Sequence, residues 1–256
     1  MGLPLVRSAA CLLGAALAVT PLTWAAEAEV VVSPGVTVRE LRSGYWIHTT
    51  VSADGIPANG MAVRLADGVL LVDTGWNDAQ ADVLAAWATA TLGAPVRRAI
   101  VTHSHVDRTG GMLALRRRGV SVLALDGTIG RMEGAGGAIQ ALFAASSSVH
   151  VDAEGFEAFY PGAAHAPDNI VVWFPGPRIL FGGCMVKAED APALGNVADA
   201  ALPAWPMAIE AVQKRYPNAE IVVPGHGPIG GPQALAHTVD LLRPSRSCAV
   251  GPRWRG

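Results

Sequence analysis

At 256 residues, with 51% hydrophobic and 16% charged side chains, the chain is long enough for one large domain or two small ones around a substantial core, and its composition excludes a disordered protein. The formal charge of −2 is spread along the sequence, and the one compact basic run is Arg116, Arg117 and Arg118. No electrostatic footprint for nucleic acid results, so a small molecule is the expected partner.

Residues 1–28 read as an export signal, with Arg7 near the start, an apolar stretch from about Ala9 to Val19, and small residues Ala25, Ala26 and Ala28 at a cleavage point around 25–28. The apolar stretch is shorter than the roughly 20 residues that span a bilayer, which favours cleavage over anchoring. No later segment looks transmembrane, so no membrane contact is expected after cleavage. Removing residues 1–28 takes away Arg7 and Glu27, leaving 18 basic against 20 acidic residues and the charge still −2. Export places the mature chain in the oxidising periplasm. Cys11 leaves with the signal, while Cys184 and Cys248 remain. A disulfide between them is one reading, but Cys248 lies in a tail, 243–256, whose Pro, Arg and Ser content reads as disordered.

Between signal and tail, residues 29–242 are read as one domain. Residues 44–51 and 60–68 are strand-like and flank a Gly- and Pro-bearing link, as in a hairpin with Ile56 and Pro57 at a mobile tip. Residues 68–76 form a buried strand ending in a polar turn, and 79–93 an amphipathic helix stopped by Gly93. A strand over 97–103, a loop, and a helix over 110–119 follow; the three arginines suit that helix's C-terminal end, and Gly119 stops it. Residues 169–184 read as two strands around a Pro-Gly turn, 201–217 hold a helix, and 219–231 run from a strand into a Gly-rich loop. Alternating strands and helices without a repeat point to an α/β protein with helix-covered sheets.

Four polar loops at strand ends, where chemistry collects in such folds, carry metal-ligand types. They are "HSHVD", with His103, His105 and Asp107; "GAAHAPDN", with His165; "FGGCMVKA", with Cys184; and "VPGHGPIGG", with His226. Six such ligands fit two zinc ions of three protein ligands each, leaving the open positions that catalytic zinc needs. Three histidines on one ion, and Asp, Cys and His on the other, are the natural division. His48, His150 and His237 have no comparable context and are expected to be structural or exposed.

In kind and order these ligands, with "GGCMVKA" and "LGNVADA" between the last two, closely resemble the metallo-β-lactamases of subclass B1, from about Val30 to about Val239. Subclass B2 has Asn where His103 stands; subclass B3 and the glyoxalase II-like hydrolases carry His where this chain has Arg108, and lack a cysteine ligand. The resemblance implies a single-domain, four-layer αββα sandwich with an active-site groove along one edge. It implies two Zn²⁺ per chain: His103, His105 and His165 hold the first, whose bound water becomes the nucleophile, and Asp107, Cys184 and His226 hold the second. Such ligation also accounts for an unpaired Cys184.

The implied substrates are β-lactam antibiotics, namely penicillins, cephalosporins and carbapenems, and the implied consequence is antibiotic resistance. Asp107, Lys187 and Asn196 are the implied catalytic group. Lys187 binds the substrate carboxylate, Asn196 polarises the lactam carbonyl, and Trp76 and Ile56 form apolar walls. Asp73 is implied to support the ligand loops. For Arg108 a contact to the second-zinc ligands, a contact to the substrate side and a supporting ion pair all remain open. Nothing calls for an oligomer, so a monomer is expected. The alternatives are a zinc hydrolase of the same fold acting on a lactone or thioester, and an exported zinc-binding protein without catalysis.

Overall fold

The structure is a computed structural model that describes residues 28–132, 139–153 and 155–243. The signal read over 1–28 lies outside these residues but for Ala28, and the tail but for Arg243. Cys11 and Cys248 also lie outside them.

Eight strands form the first sheet in chain order: β1 (Val30–Ser33), β2 (Val36–Arg42), β3 (Tyr45–Val51), β4 (Pro57–Leu65), β5 (Gly68–Val72), β6 (Val96–Ile100), β7 (Ser121–Leu125) and β8 (Ile139–Phe143). The second sheet has order β13-β12-β11-β10-β9, from β9 (Val149–Val151), β10 (Glu157–Phe159), β11 (Val171–Phe174), β12 (Ile179–Gly183) and β13 (Ile221–Pro224). The helices are α1 (Asp78–Leu92), α2 (Val106–Thr109), α3 (Met112–Arg117), α4 (Asp126–Arg131), α5 (Trp205–Arg215) and α6 (Gln233–Leu242).

Strand alternation produces the layers, because successive side chains point to opposite faces. From β5, Leu70 and Val72 face between the sheets and meet Phe174, Ile179, Phe181 and Val223, while Val69 and Leu71 turn outward onto Ala81, Ala85 and Ala88 of α1. On the second sheet Leu180 and Val222 point away from that interior onto Trp205, Ile209 and Val212 of α5 and Leu235 of α6. The order helix, sheet, sheet, helix is the implied αββα sandwich. β5 to β8 and the pair β12–β13 are parallel, which explains why β5, β12 and β13 are buried along their whole length. Among the described residues no helix is long and apolar enough to cross a membrane.

Two local expectations change. Pro57 is not at a loop tip: it opens β4, paired with Val51, a position where a strand tolerates a missing N–H. The three arginines do close α3, but Arg117 and Arg118 reach Asp78 and Asp82 of α1 at 2.9 and 2.5 Å, so they tie two helices together at the surface. The helix α1 itself starts on Asn77, whose side chain accepts the Gln80 N–H, and stops at Gly93 with φ 66.

His48 on β3 is buried, and burial, with the nearby Arg108 cation, pulls its pKa down to about 4 from 6.5. Its folded pKa lies below its unfolded one, so it contributes stability at neutral pH that is lost as pH falls through this window. The loss between pH 6.5 and 4 is expected to be on the order of 3 kcal/mol. Denaturant unfolding across that range should show the slope in the parent and a reduced one in His48→Leu; identical slopes would remove His48 from the account.

Candidate metal centre

The centre forms where β5, β6, β12 and β13 end. Beyond β6, His105 is extended (φ −71, ψ 153) and begins α2, so Asp107 sits in the first turn of a short helix and not in the loop expected from the sequence. The helix lies close to the segment after β5: a Cβ on Gly110 would fall 2.1 Å from the Trp76 carbonyl oxygen. Asp73, at the end of β5, has φ 63, a strained region that Asp tolerates better than most residues. Its Oδ1 accepts the Thr102 N–H at 2.8 Å, and its Oδ2 accepts the Thr102 hydroxyl at 3.1 Å, which anchors the residue preceding His103.

Three donor atoms converge on one side. Cys184 Sγ lies 3.4 Å from Asp107 Oδ2 and 3.3 Å from His226 Nε2, and those two lie 3.1 Å apart. His226 Nδ1 is 2.7 Å from the Pro57 carbonyl oxygen, which fixes the tautomer that leaves Nε2 as the donor atom. On the other side the rings of His103, His105 and His165 meet edge to face with centroids 4.7 to 5.1 Å apart. His105 Nδ1 and His165 Nε2 are 3.3 Å apart, and His103 Nε2 is buried with no hydrogen-bond partner. His103 bridges the halves, with donor atoms within 4.8 Å of His105 and Asp107 and also of His165 and Cys184.

These donors fit zinc. Zinc bonds of roughly 2.0–2.3 Å to N, O and S imply tetrahedral edges of roughly 3.3–3.8 Å, close to the spacings found. Burial, with Lys187 and His105 nearby, brings the His165 pKa down to about 3, and burial holds His103 well below its ordinary value. Both imidazoles are thus neutral, as ligands must be. Burial pushes the Cys184 thiol up to about 12 against the pull of Arg108, so in the absence of metal it keeps its proton.

Arg108 is fully buried behind this group. Nε donates to Asp107 Oδ2 at 2.9 Å, Nη1 to Asp73 Oδ2 at 3.0 Å and to the Asn59 carbonyl at 2.6 Å, and Nη2 to Cys184 Sγ at 3.1 Å and the Gly225 carbonyl at 2.9 Å. Arg108 thus touches both Asp107 and Cys184 and forms ion pairs with Asp73 and Asp107. Burial alone would raise the Asp107 pKa, but Arg108 and His226 outweigh it and hold the carboxyl well below its usual range. Asp73, where burial prevails over Arg108, is pushed up to about 6. The Gly225 backbone closes this packing, since a Cβ there would lie 2.7 Å from Cys184 Sγ.

Beside the donors opens a cavity of about 630 Å³ lined by Ile56, Trp76, Val106 and Leu194 and also by Lys187 and Asn196. The sequence matches the metallo-β-lactamase superfamily over residues 53–226. The chain belongs to that superfamily. A "Metallo-beta-lactamase type 2" of Bacillus cereus is 38% identical over 213 residues, 81% of this chain and 83% of that protein. A crystal structure of a metallo-β-lactamase from Erythrobacter litoralis, with β-mercaptoethanol in the active site, superposes with a TM-score of 0.78 at 34% identity, covering 84% of this chain and 99% of the other. That of FIM-1 from Pseudomonas aeruginosa, in a mono-zinc form, gives 0.75 at 35% identity, covering 81% and 94%.

Within this metallo-β-lactamase fold the six ligand candidates fall together, and Asp73 and Arg108 lie beneath them. Trp76, Ile56, Lys187 and Asn196 line the cavity. Trp76 is held by Nε1–H donating to the Thr50 carbonyl at 3.1 Å, and the Asn196 side-chain oxygen accepts the Ala198 N–H at 3.0 Å. Three positioning residues escaped sequence reasoning. Asp199 Oδ2 lies 2.7 Å from His105 Nε2, which leaves Nδ1 as the donor atom. Asp168 Oδ2 accepts the Ser104 N–H at 2.9 Å, between the ligand candidates His103 and His105. Asn59 Nδ2 donates to the Pro224 and Gly227 carbonyls on either side of His226. The signal was a carboxylate or amide inside or beside a quoted loop, which sequence alone does not connect to a partner. His237 reaches the Ala191 carbonyl at 2.8 Å, a structural role as expected.

Proposed function

We propose that the protein is a subclass B1, zinc-dependent β-lactamase that hydrolyses the lactam amide of penicillins, cephalosporins and carbapenems and so confers resistance to them. The observation that carries this reading is the pair of adjoining donor groups, one of three imidazoles packed edge to face and one of carboxylate, thiol and imidazole, five of whose six members line one cavity. His103, His105 and His165 would hold one zinc and Asp107, Cys184 and His226 the other. Zinc bound there supplies Lewis acidity that brings the pKa of water near neutrality and offsets negative charge on the departing amide nitrogen.

The chain's own residues supply the rest. Lys187 offers a half-buried ammonium to the substrate carboxylate. Asn196 presents an amide to the lactam carbonyl, and Trp76 and Ile56 cover the apolar side of the bound molecule and exclude water. Asp73 and Arg108 keep Asp107 and Cys184 in place. Residues 1–28 serve as a cleaved export signal, which puts a monomeric enzyme in the periplasm, where the antibiotics pass.

Purified protein, loaded with zinc, is expected to turn over all three β-lactam classes, to lose that activity on exhaustive chelation, and to regain it with zinc near two ions per chain. Activity that survives chelation excludes the mechanism. Turnover of lactones or thioesters without any β-lactam turnover would replace the substrate class, and no turnover at all would leave a zinc-binding protein.

A further inference from the structure

Trp205 opens α5 and has no exposed surface. Its indole N–H donates to the Met185 carbonyl at 2.8 Å, which fixes the ring to the backbone that leads into Lys187. The Lys187 N–H in turn donates to Thr238 Oγ1 on α6 at 2.8 Å. Beyond that point the lysine has a flexible stem whose ammonium is free to point many ways. In the structure Nζ lies 5.3 Å from the centroid of the Trp205 ring. The same indole meets the His165 ring edge-on, with centroids 5.8 Å apart and planes at 65°.

An ammonium set in an apolar wall needs compensation, since burial disfavours its charge. A carboxylate neighbour would supply it and would also compete with any anionic ligand for the cation. A ring face attracts the cation through its quadrupole and leaves the positive charge open to a second partner. We propose that Trp205 is a positioning residue for Lys187: its ring face holds the ammonium toward the cavity, in fixed relation to His165, ready for a carboxylate-bearing substrate. The inference rests on the reading of Lys187 as the substrate-carboxylate group.

The test uses the zinc-loaded protein. The sequence contains two lysines, Lys187 and Lys214, so reductive ¹³C-methylation gives few side-chain signals, and Lys187→Arg assigns them. The Lys187 methyl signal is expected upfield of a free dimethyl-lysine peptide, shifted by the ring current. It should move to the free position in Trp205→Leu and part of the way in Trp205→Phe, which keeps an aromatic face. An unshifted parent signal, or one indifferent to both substitutions, overturns the contact.

In kinetics with a penicillin, Trp205→Leu is expected to raise KM roughly 2- to 30-fold, with kcat and zinc content little changed. The same substitution in a Lys187→Ala background should add nothing to KM. Equal effects in both backgrounds would show that Trp205 acts on the fold and not through the lysine. Should the parent hydrolyse no β-lactam, the functional reading fails, while the methyl signals still decide whether Trp205 positions Lys187.

Discussion

Arg108→Ala is expected to destabilise the metal-free protein by about 3–5 kcal/mol, the cost of breaking a buried ion pair by removing one partner. The guanidinium makes ion pairs with Asp73 and Asp107, and all three side chains are buried or nearly so. It also satisfies the carbonyls of Asn59 and Gly225, which reach it from β4 and from the end of β13. Alanine leaves two carboxylates and two carbonyls facing a cavity. Asp73, already pushed up to about 6 by burial, would lose the cation that opposes that rise and would protonate at neutral pH. Arg108→Lys should recover little, because one ammonium cannot meet acceptors spread over both arms of a planar fork. For a domain of this size the expected loss corresponds to roughly 6–20 °C in Tm. Denaturant unfolding after chelation measures it directly, and a change below about 1 kcal/mol would mean that water or repacking replaces the guanidinium with ease.

The same residue shows how far the sequence could be read. Five of the six ligand candidates follow β6, β12 or β13, and His165 stands in the loop before β11, so residue type and place at a strand end single them out along the chain. Arg108 stood beside Asp107 in the open, but its partners come from β4, β5, β12 and β13, and no spacing along the chain relates them. Asn59 is a clearer case: it reads as the last residue of a link and in fact lies in β4, holding the loop around His226, 168 positions from Gly227. The fold divides along a similar line. β5, β12 and β13 are buried on both faces and announce themselves as unbroken apolar runs. Val149–Val151 and Glu157–Phe159 are three-residue strands, too short for a run or an alternation to stand out, and they become strands by pairing with each other and, for Glu157–Phe159, with β11. β1 and β2 carry a strand signal of their own, in VVV and the alternating VTVREL on either side of Pro34 and Gly35, although neither is among the elements expected from the sequence; β1 pairs with β2, and β2 with β3.

With two zinc ions bound as proposed, Cys184→Ser should lower binding to near one ion per chain at concentrations that load the parent with two. Of the three donor atoms that converge beside α2, sulfur is the one that becomes an anion on binding, while Asp107 is already charged. Serine keeps the size but offers a hydroxyl that does not ionise in this range, so the ion loses one of two negative charges in its ligand shell. Outer-shell substitutions at metal sites cost ten- to a hundredfold in affinity, and loss of a direct anionic ligand is expected to cost at least about a hundredfold. The first group should be spared, because His105 and His165 approach each other without help from the thiol. Competition against a zinc-binding dye separates the two affinities. With cobalt in place of zinc, the sulfur-to-metal charge-transfer absorption should be present in the parent and absent in the variant. Two tightly held ions in Cys184→Ser would show that Asp107 and His226 suffice and that the thiol is a bystander. Because the sulfur also accepts from Arg108 Nη2 at 3.1 Å, its loss touches the buried network as well, and the metal-free variant is expected to be less stable than the parent by about 1–3 kcal/mol.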